Sequence, residues 1–542
     1  MKRLVVHPFF FASFVLLSII TEKNLQNLAG VRSIITSLLA GILIFMLLLI
    51  VTKDFKKAGL ISSVCILLVF SFGQFNGLIS KYNIWVEEIY QYYALVTIWI
   101  LIIIVWISWV AKINANNSKT LTLYLNTVSM ILIIFPISKV LINGIRTKIV
   151  SPRMGEYIEQ AWQSNGLENI VNTDSDEHGA PLPDIYYIVL DAYARSDVLL
   201  DLYQYDNSEF ITFLEDRGFY VADYSEANYT VSEFSISSSL NMVHINDMPD
   251  YYSKKVPFYN KESIVDTAIE LVGLNRVSAI LREHGYQIVE FESGFYKIKN
   301  HNPDIYLRSP DIEQPNTRQL LEGIIFMDPI FLRLFSQTSN NQSSPVDRIF
   351  DVHRERIRYT LNDISIFAEE EGNYFIYAHL ICPHFPYVFG PDGETLEQLD
   401  SYTLMDLNPG KEENIQLYRD QVHYLNKLVM SAVDEILDKS DTLPIIIIQA
   451  DHGSKVYREK NPNGATQEKS LLPILNAYYF PRDAGNTLYP EISPVNSFRV
   501  VFNEYFGSNL PLLSDKSYIL SDKFGSLEFI EACQYLNTCS VK

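Results

Sequence analysis

Ionisable residues follow two strongly apolar runs in the C-terminal part of the chain. The stretch 445-IIIIQADHG-453 places Asp451 and His452 shortly after four isoleucines, and 186-YYIVL-190 is followed at once by Asp191. Four consecutive β-branched residues predict a strand that is buried on both faces, as is typical of parallel sheets. Two carboxylates and an imidazole at the ends of such strands suit a divalent metal such as zinc or manganese.

The adjacent acid and histidine can both face one ion if the backbone turns sharply after the strand, and Gly453 permits such a turn. The alternative interpretation is structural: Asp451 caps the next turn, and His452 is an exposed loop residue. Asp191 at the end of a second apolar run favours the metal site, because two strand ends then carry suitable ligands.

A Ser-rich stretch, 228-NYTVSEFSISSSLNM-242, supplies candidate nucleophiles. Its apolar residues are spaced as on one side of a helix that begins near residue 232. A hydroxyl beside a bound metal loses its proton more easily and becomes a nucleophile. A helix N-terminus adds the positive end of the helix dipole and N–H groups that can hold a phosphate or sulfate oxygen. The alternative is that Ser232 is an N-cap and no more.

Strands alternate with helices over residues 184–542, which predicts an α/β fold with a mostly parallel central sheet. Ligands of such sheets bind beyond the carboxyl ends of the strands. His384 stands in a Pro-rich loop after a third strand, so we expect it at the same edge as Asp191 and Asp451. His379 lies inside that strand and is interpreted as structural.

The first part of the chain differs in composition. Residues 1–150 carry 13 Lys and Arg against 4 Asp and Glu, whereas the remaining 392 residues carry 30 against 59. Several apolar runs approach the roughly 20 residues that a spanning helix needs, which predicts an N-terminal bundle of about five transmembrane helices. The runs lie near 4–21, 32–51, 60–75, 93–110 and 121–138.

Basic residues between these runs favour a cytoplasmic N-terminus. An odd number of spans then places the acidic domain in the periplasm or outside the cell, as part of an integral membrane protein of a bacterial-type inner or plasma membrane. The acidic composition argues against nucleic acid as a partner.

The composition predicts three segments: a transmembrane domain over 1–145, a connector over 146–183 and a catalytic domain over 184–542. Near the C-terminus, Cys533 and Cys539 are six positions apart. They pair as a disulfide in an oxidising compartment, or they remain two free thiols.

Four segments, taken together, resemble one protein family. VLDAYARSD, the Ser-rich stretch, HLICPHFPY and IIIIQADHG occur in an order and at distances similar to those of the sulfatase-like branch of the alkaline phosphatase superfamily. Its members include arylsulfatases, lipoteichoic acid synthases and phosphoethanolamine transferases. The last two kinds are also similar in layout, with N-terminal spans followed by an exported catalytic domain. The resemblance covers residues 184 to about 520.

The resemblance implies that Asp191, Asp451 and His452 are ligands of one divalent metal ion, with zinc, manganese, magnesium and calcium as the candidates. It also implies that His384 contacts the transferred group or the leaving oxygen.

The resemblance leaves two candidates for the nucleophile. Ser232 precedes Ser235, Ser238 and Leu240 with the spacing of the sulfatase motif. Thr230 precedes a Ser-Glu-Phe triplet, as in lipoteichoic acid synthases, but one residue too closely. Neither candidate is followed by the Pro and Arg that mark sites converted to formylglycine. This departure argues against ordinary sulfatase activity and favours phosphoryl transfer by an unmodified hydroxyl.

Two basic residues near these motifs are candidates for binding an anionic substrate. Lys455 follows the Asp-His-Gly turn, and Arg195 follows the first acid. The alternatives are a solvated loop charge for Lys455 and a surface salt bridge with Asp197 for Arg195.

The function expected from these features is transfer of a phospho-headgroup to a surface glycan or lipid, through a covalent Ser or Thr intermediate. The expected partners are membrane lipids, an anionic phospho- or sulfo-ester donor and a glycan acceptor. One alternative is a sulfuric- or phosphate-ester hydrolase that uses water as the acceptor. A second is a non-catalytic scaffold in cell-surface polysaccharide assembly.

Overall fold

The structure, a computed structural model, divides into two compact units. Residues 4–138 belong to the first, and residues 182–312 and 350–535 belong to the second. The residues that the structure describes are 4–22, 28–81, 88–138, 182–247, 261–312, 345–396, 412–456, 470–482, 487–523 and 526–535.

The predicted connector, 146–183, lies almost wholly outside the described residues, so the predicted domain boundaries remain predictions. Cys533 is disulfide-bonded, but Cys539 lies outside the described residues and the pairing of these two cysteines also stays a prediction.

Five helices make up the described part of the first unit, and each overlaps one predicted apolar run. Two segments are long and apolar enough to cross a membrane, Tyr93–Lys112 within the fourth helix and Ala115–Ser138, while Gly41–Thr52 is apolar but shorter. The count of five spans therefore stays a prediction. The helices are α1 (His7–Glu22), α2 (Leu28–Thr52), α3 (Phe55–Lys81), α4 (Glu88–Lys112) and α5 (Ala115–Ser138).

The second unit is built around a seven-stranded sheet. Its strands and those of a separate hairpin are β1 (Ile185–Leu190), β2 (Tyr220–Val221), β3 (Gln287–Phe291), β4 (Ile305–Leu307), β5 (Tyr374–Leu380), β6 (Ile445–Gln449), β7 (Asn476–Tyr479), β8 (Tyr518–Lys523) and β9 (Ser526–Glu531). The order in the sheet is β2-β7-β6-β1-β5-β3-β4, and β8 pairs with β9.

The sheet is mixed and mostly parallel, as predicted. β1 lies between β5 and β6 and is parallel to both, and β3 is parallel to β4 and β5. β7 runs antiparallel to β6, and β2 antiparallel to β7. Every residue of β1, β5 and β6 is buried, which explains why these strands read as continuous apolar runs.

Helices cover the sheet. Residues 261–283 form two of them, which are separated at Asn275. The Asn275 side chain accepts a hydrogen bond from Ser278 N at 2.8 Å and so caps the second helix. The helices are α6 (Ser196–Tyr203), α7 (Ser208–Asp216), α8 (Ser232–Asn241), α9 (Lys261–Gly273), α10 (Arg276–Glu283), α11 (Pro345–Asp363), α12 (Glu412–Lys439), α13 (Pro494–Tyr505) and α14 (Ala532–Tyr535).

A buried set of hydrogen bonds joins α8 to the sheet. Gln449 at the end of β6 accepts a bond from the Tyr187 hydroxyl at 2.9 Å and donates to Asn476 Oδ1 at 2.9 Å and Ser497 Oγ at 2.8 Å. The Tyr187 hydroxyl also meets Ser239 Oγ of α8 at 3.0 Å. We call these five residues the polar network. It fixes α8 against β1 and β6.

The C-terminal end of α8 is held by a second buried group. Met242 follows the helix in the left-handed conformation, with φ of 58°. Its carbonyl accepts bonds from Arg499 Nε at 2.8 Å and Nη2 at 2.6 Å, and Arg499 is fully buried. A cation at this position also complements the negative end of the helix dipole.

Candidate active site

The carboxyl ends of the central strands bring the predicted ligands together. Asp191 follows β1 directly, and Asp451 comes two residues after β6. In the sheet register, Val189 of β1 lies opposite His379 of β5 on one side and Gln449 of β6 on the other. The parallel arrangement therefore places the side chains that follow these positions at one edge.

Two carboxylates and two imidazoles form what we call the acid–histidine cluster: Asp191, His379, Asp451 and His452. His452 Nε2 lies 3.5 Å from Asp191 Oδ1 and 3.8 Å from Asp451 Oδ2. His379 Nε2 lies 3.7 Å from Asp191 Oδ2 and 3.9 Å from Asp451 Oδ2. All four side chains are buried.

Hydrogen bonds to backbone carbonyls define the tautomers of two histidines at this edge. His452 Nδ1 lies 2.8 Å from Gly453 O, and His384 Nδ1 lies 2.6 Å from Phe385 O. A carbonyl only accepts hydrogen bonds, so in the neutral form of each ring Nδ1 carries the proton and Nε2 has the lone pair. Lys455 Nζ, which only donates, lies 3.1 Å from His452 Nε2 and agrees with this assignment.

Three buried atoms of the cluster make no hydrogen bond to any described residue: Asp191 Oδ1, Asp451 Oδ2 and His379 Nε2. Buried polar groups in folded proteins are nearly always hydrogen-bonded, so three such atoms in one cluster require an explanation. All are available as acceptors or ligands, which is the arrangement that a bound cation satisfies.

The spacing of the cluster also fits a cation. Ligand atoms about 2.0–2.2 Å from a tetrahedral zinc ion lie about 3.3–3.6 Å from one another. Calcium bonds of about 2.3–2.6 Å give similar separations in an octahedral arrangement. The separations here, 3.5–3.9 Å, are too long for hydrogen bonds and close to these values.

Burial and neighbouring charges set the protonation states. Burial acts to raise the pKa of Asp191, but the positive charge that the imidazoles of His384, His379 and His452 carry when protonated outweighs it and holds that pKa below the usual range. Burial lowers the pKa of His452, despite the opposing charge of Asp451. An ionised carboxylate and a neutral imidazole are the forms in which these residues bind metal ions.

Close packing explains the glycine at position 453. The φ angle of Gly453 lies outside the left-handed region, so its backbone conformation alone does not require a glycine. A Cβ at Gly453 would instead lie 2.1 Å from Ser470 O, so the glycine permits close backbone approach. The strained turn is at Ala192, with φ of 65°, where Asp451 Oδ1 accepts from Ala192 N at 3.2 Å and Tyr418 donates to its carbonyl at 2.8 Å.

Ser232 is the first residue of α8 and lies beside the cluster. Its Oγ is 3.5 Å from His452 Nε2. The N-cap position is occupied by Val231, whose backbone is extended, so Ser232 is not an N-cap. Thr230 is half-buried and makes no hydrogen bond to the cluster among the described residues. This geometry favours Ser232 over Thr230 as the nucleophile.

The two predicted substrate-binding cations have different environments. Arg195 forms two hydrogen bonds of 2.8 Å with Asp197 and a third of 3.0 Å with Ser225 O. Its guanidinium is therefore engaged in the local salt bridge named as the alternative. Lys455 lies beside His452, as described above, and is thus next to Ser232.

Sequence reasoning did not find two features of the site. His379 was assigned a structural role because it lies within β5, but its position next to the end of that strand is the signal that was available. The second feature is an ion pair between Lys297 and the buried Glu233, 2.6 Å long. Glu233 follows Ser232, but the 64 residues that separate it from Lys297 leave no local sequence signal.

Comparisons by sequence give no match: no protein-family model matches the chain, and no curated protein matches it. Solved structures do match. The integral membrane protein lipooligosaccharide phosphoethanolamine transferase A from Neisseria meningitidis is 12% identical, with a TM-score of 0.39, and the match covers 93% of this chain and 95% of that one.

Two further matches cover about two thirds of this chain. The C-terminal periplasmic domain of EptC from Escherichia coli, in complex with zinc, is 13% identical, with a TM-score of 0.39 and coverage of 66% and 94%. A structure from glycosaminoglycan metabolism in Bacteroides thetaiotaomicron is 17% identical, with a TM-score of 0.33 and coverage of 62% and 74%. The transferases among these matches are of a kind that the sequence motifs resemble. At these TM-scores the likenesses carry no functional conclusion.

Proposed function

We propose that the chain is a membrane-anchored, metal-dependent transferase that moves a phospho-headgroup to a surface glycan or lipid through a covalent intermediate on Ser232. One observation carries this proposal: buried acceptor atoms with no hydrogen-bond partner among the described residues converge next to a hydroxyl at a helix N-terminus. That combination suits binding of a cation and attack by the hydroxyl on an anionic ester.

Asp191, Asp451 and His452 are the proposed metal ligands, and zinc, manganese, magnesium and calcium remain the candidate ions. When bound, such an ion would supply positive charge that stabilises the negative charge developing on the reacting group. The residues themselves form a rigid frame, because the two acids follow adjacent parallel strands and His452 is fixed by its bond to Gly453 O.

Ser232 is the proposed nucleophile. Its Oγ forms the bond to phosphorus as the bond from phosphorus to the leaving oxygen breaks. His384 fits the role of the group that takes the hydroxyl proton and delivers it to that oxygen, because its Nε2 carries a lone pair. Its ligand atom lies within 4.8 Å of those of Asp191 and His452. The oxygen of an acceptor hydroxyl then attacks phosphorus as the bond from phosphorus to Ser232 Oγ breaks, and the acceptor's proton passes through His384 to Oγ, which restores the serine.

Recognition of the anionic group falls to local positive charge in an otherwise acidic domain. Ser232 begins α8, where the N–H groups and the helix dipole favour a phosphate oxygen. Lys455 lies next to His452 and is close enough to the nucleophile to meet the same group. Arg195, occupied by Asp197, is left out of this proposed binding site.

The acceptor decides between a transferase and a hydrolase. Two apolar helices long enough to cross a membrane support an anchored enzyme, and anchoring suits a donor or acceptor that is itself a lipid. Water as the acceptor would make the same site a phosphate- or sulfate-ester hydrolase. A non-catalytic scaffold would not need the ligands and the hydroxyl to be assembled in one place.

The test uses the full-length protein in detergent with a phosphatidylethanolamine analogue and a glycan acceptor. We expect Ser232→Ala to abolish turnover and to leave bound metal unchanged, whereas Thr230→Ala, the matched control two residues away, retains turnover. Mass spectrometry of the quenched reaction should find the phospho-headgroup on Ser232, and product analysis should distinguish transfer from hydrolysis. Full activity in Ser232→Ala would refute this mechanism.

A further inference from the structure

A tyrosine and a histidine lie two residues apart on β5, on the same face of the strand, and reach towards the acid–histidine cluster. We propose that Tyr377 is a positioning residue that holds His379 as an additional ligand of the ion between Asp191 and Asp451. This inference rests on the proposed function, but it assigns work to two residues that the proposed mechanism does not use.

The hydrogen bonds of Tyr377 set the tautomer of His379. The Tyr377 hydroxyl lies 3.4 Å from Ile298 O and 3.4 Å from His379 Nδ1. Because the carbonyl only accepts, the hydroxyl donates its single proton there, and its oxygen then accepts from Nδ1–H of His379. In the neutral ring that binds a metal ion, Nε2 is then the nitrogen with the lone pair, and it is the ring atom that lies towards the two carboxylates.

The separation of Nε2 from those carboxylates argues for a ligand rather than an ion pair. A protonated imidazole bonded to a carboxylate lies about 2.7–2.9 Å from it. His379 Nε2 is 3.7 Å from Asp191 Oδ2 and 3.9 Å from Asp451 Oδ2, and it has no hydrogen-bond partner among the described residues. Two carboxylates and a lone pair at this spacing repel one another unless a cation lies between them.

Packing prevents His379 from turning away. Its side chain is 1% exposed. Tyr377 is buried as well, and its ring stacks on that of Tyr187 from β1 at 5.8 Å with an interplanar angle of 22°. The pair thus has the features of an outer-sphere contact: one residue fixes the orientation and basicity of the imidazole that meets the metal.

Tyr187 provides a matched control. It lies directly opposite Tyr377 in the register, it is equally buried, and its hydroxyl is also hydrogen-bonded. That hydroxyl bonds to Gln449 and Ser239 and not to the cluster. Tyr377→Phe and Tyr187→Phe therefore remove the same group from adjacent strands, and only the first removes a contact to His379.

The experiment measures dissociation constants of Zn²⁺ and Mn²⁺ for the full-length protein by competition with a chelator, with thermal unfolding of each metal-free variant as a check on folding. We expect Tyr377→Phe to bind the ions about 10–100-fold more weakly, His379→Gln to lose at least as much, and Tyr187→Phe to match the wild type. The His379 variant keeps the test decisive if Tyr377→Phe does not fold.

Failure of this inference is distinguishable from failure of the proposed function. The positioning role would be overturned if His379→Gln bound the metal ions as tightly as the wild type, or if both tyrosine variants lost the same metal affinity. The proposed function would still stand in that case if the wild type turned over the ester and Ser232→Ala did not. A wild-type protein that bound neither ion and turned over no ester would overturn both.

Discussion

Two groups of buried polar side chains occupy neighbouring positions on the same strands, and they are built in opposite ways. In the polar network, the Gln449 side chain donates two hydrogen bonds and accepts from the Tyr187 hydroxyl. In the acid–histidine cluster, whose Asp451 lies two residues after Gln449 and beyond the end of β6, three buried atoms make no hydrogen bond to a described residue.

The difference separates a structural role from a functional one. Hydrogen-bonded polar networks rigidify a core and specify one arrangement of its elements. Buried acceptors without donors destabilise the fold unless a ligand meets them, and such positions are found where function requires them. The network therefore holds the strands and α8 together, while the cluster has the unmet acceptors at which we propose that a cation binds.

Asp451→Asn should give the largest effect and should separate activity from stability. We expect turnover to fall on the order of 10³-fold, because a bound cation stabilises the transition state by several kcal/mol. The amide would keep the bonds that Oδ1 accepts from Ala192 N and His452 N. It would also place a donor among the acceptors of the cluster.

The free energy of unfolding of the metal-free Asp451→Asn protein should therefore exceed that of the metal-free wild type by about 1 kcal/mol, and the variant should unfold at a higher temperature. Thermal unfolding in excess chelator measures this difference. A variant that lost both activity and metal-free stability would place Asp451 with the structural residues instead.

Gln449→Leu disrupts the polar network and leaves the acid–histidine cluster unchanged. It removes the partner of the Tyr187 hydroxyl, Asn476 Oδ1 and Ser497 Oγ. Leaving these buried groups unmet should lower the free energy of unfolding by about 3 kcal/mol. Metal dissociation constants should change less than about threefold, since no ligand is touched. A large loss of metal affinity in a folded Gln449→Leu protein would mean that the polar network and the acid–histidine cluster are energetically coupled.

Glu290→Gln tests a buried carboxyl outside the cluster and should give the smallest effect. Imidazoles hold the pKa of Asp191 low. At Glu290 on β3, by contrast, burial outweighs the opposing charge of Lys299 and the hydrogen bond from Asn300 N, and raises the pKa to about 8. The folded wild type therefore holds a proton that the unfolded chain has lost above its usual pKa of 4.5. The contribution of Glu290 to the free energy of unfolding of the wild type therefore falls as pH rises from 4.5 towards 8.

Glutamine does not titrate, so the advantage of Glu290→Gln over the wild type should grow by about 2 kcal/mol between pH 6 and pH 7.5. Unfolding curves of the two proteins at both pH values give this number. A pH-independent difference would show that Glu290 is ionised in the folded protein.

The sequence was most informative where local and tertiary preferences coincide. β1 and β6 are predictable because β-branched runs favour strands and because both faces of a central parallel strand are buried. The start of α8 at Ser232 follows from helical spacing alone. The short strands β4 and β7 depend on partners distant in the sequence, and the break at Asn275 depends on a cap within an otherwise helical pattern.

The site divides in the same way. Asp191, Asp451 and His452 were predictable because each follows an apolar run. His379 was not, because a histidine inside a buried strand looks like any satisfied core residue until the register shows which carboxylates it faces. The pairing of Lys297 with Glu233 joins segments whose sequence carries no common pattern.

The close approach at Gly453 has an evolutionary consequence. Its N–H donates to Leu471 O at 2.7 Å, and Ser470 O lies where a side chain would begin. This hydrogen bond joins the chain segment after His452 to the segment that begins at Ser470. Residues 457–469, which lie outside the described part of the chain, connect the two segments. Insertions, deletions or exchange of that segment therefore need not displace Asp451 or His452.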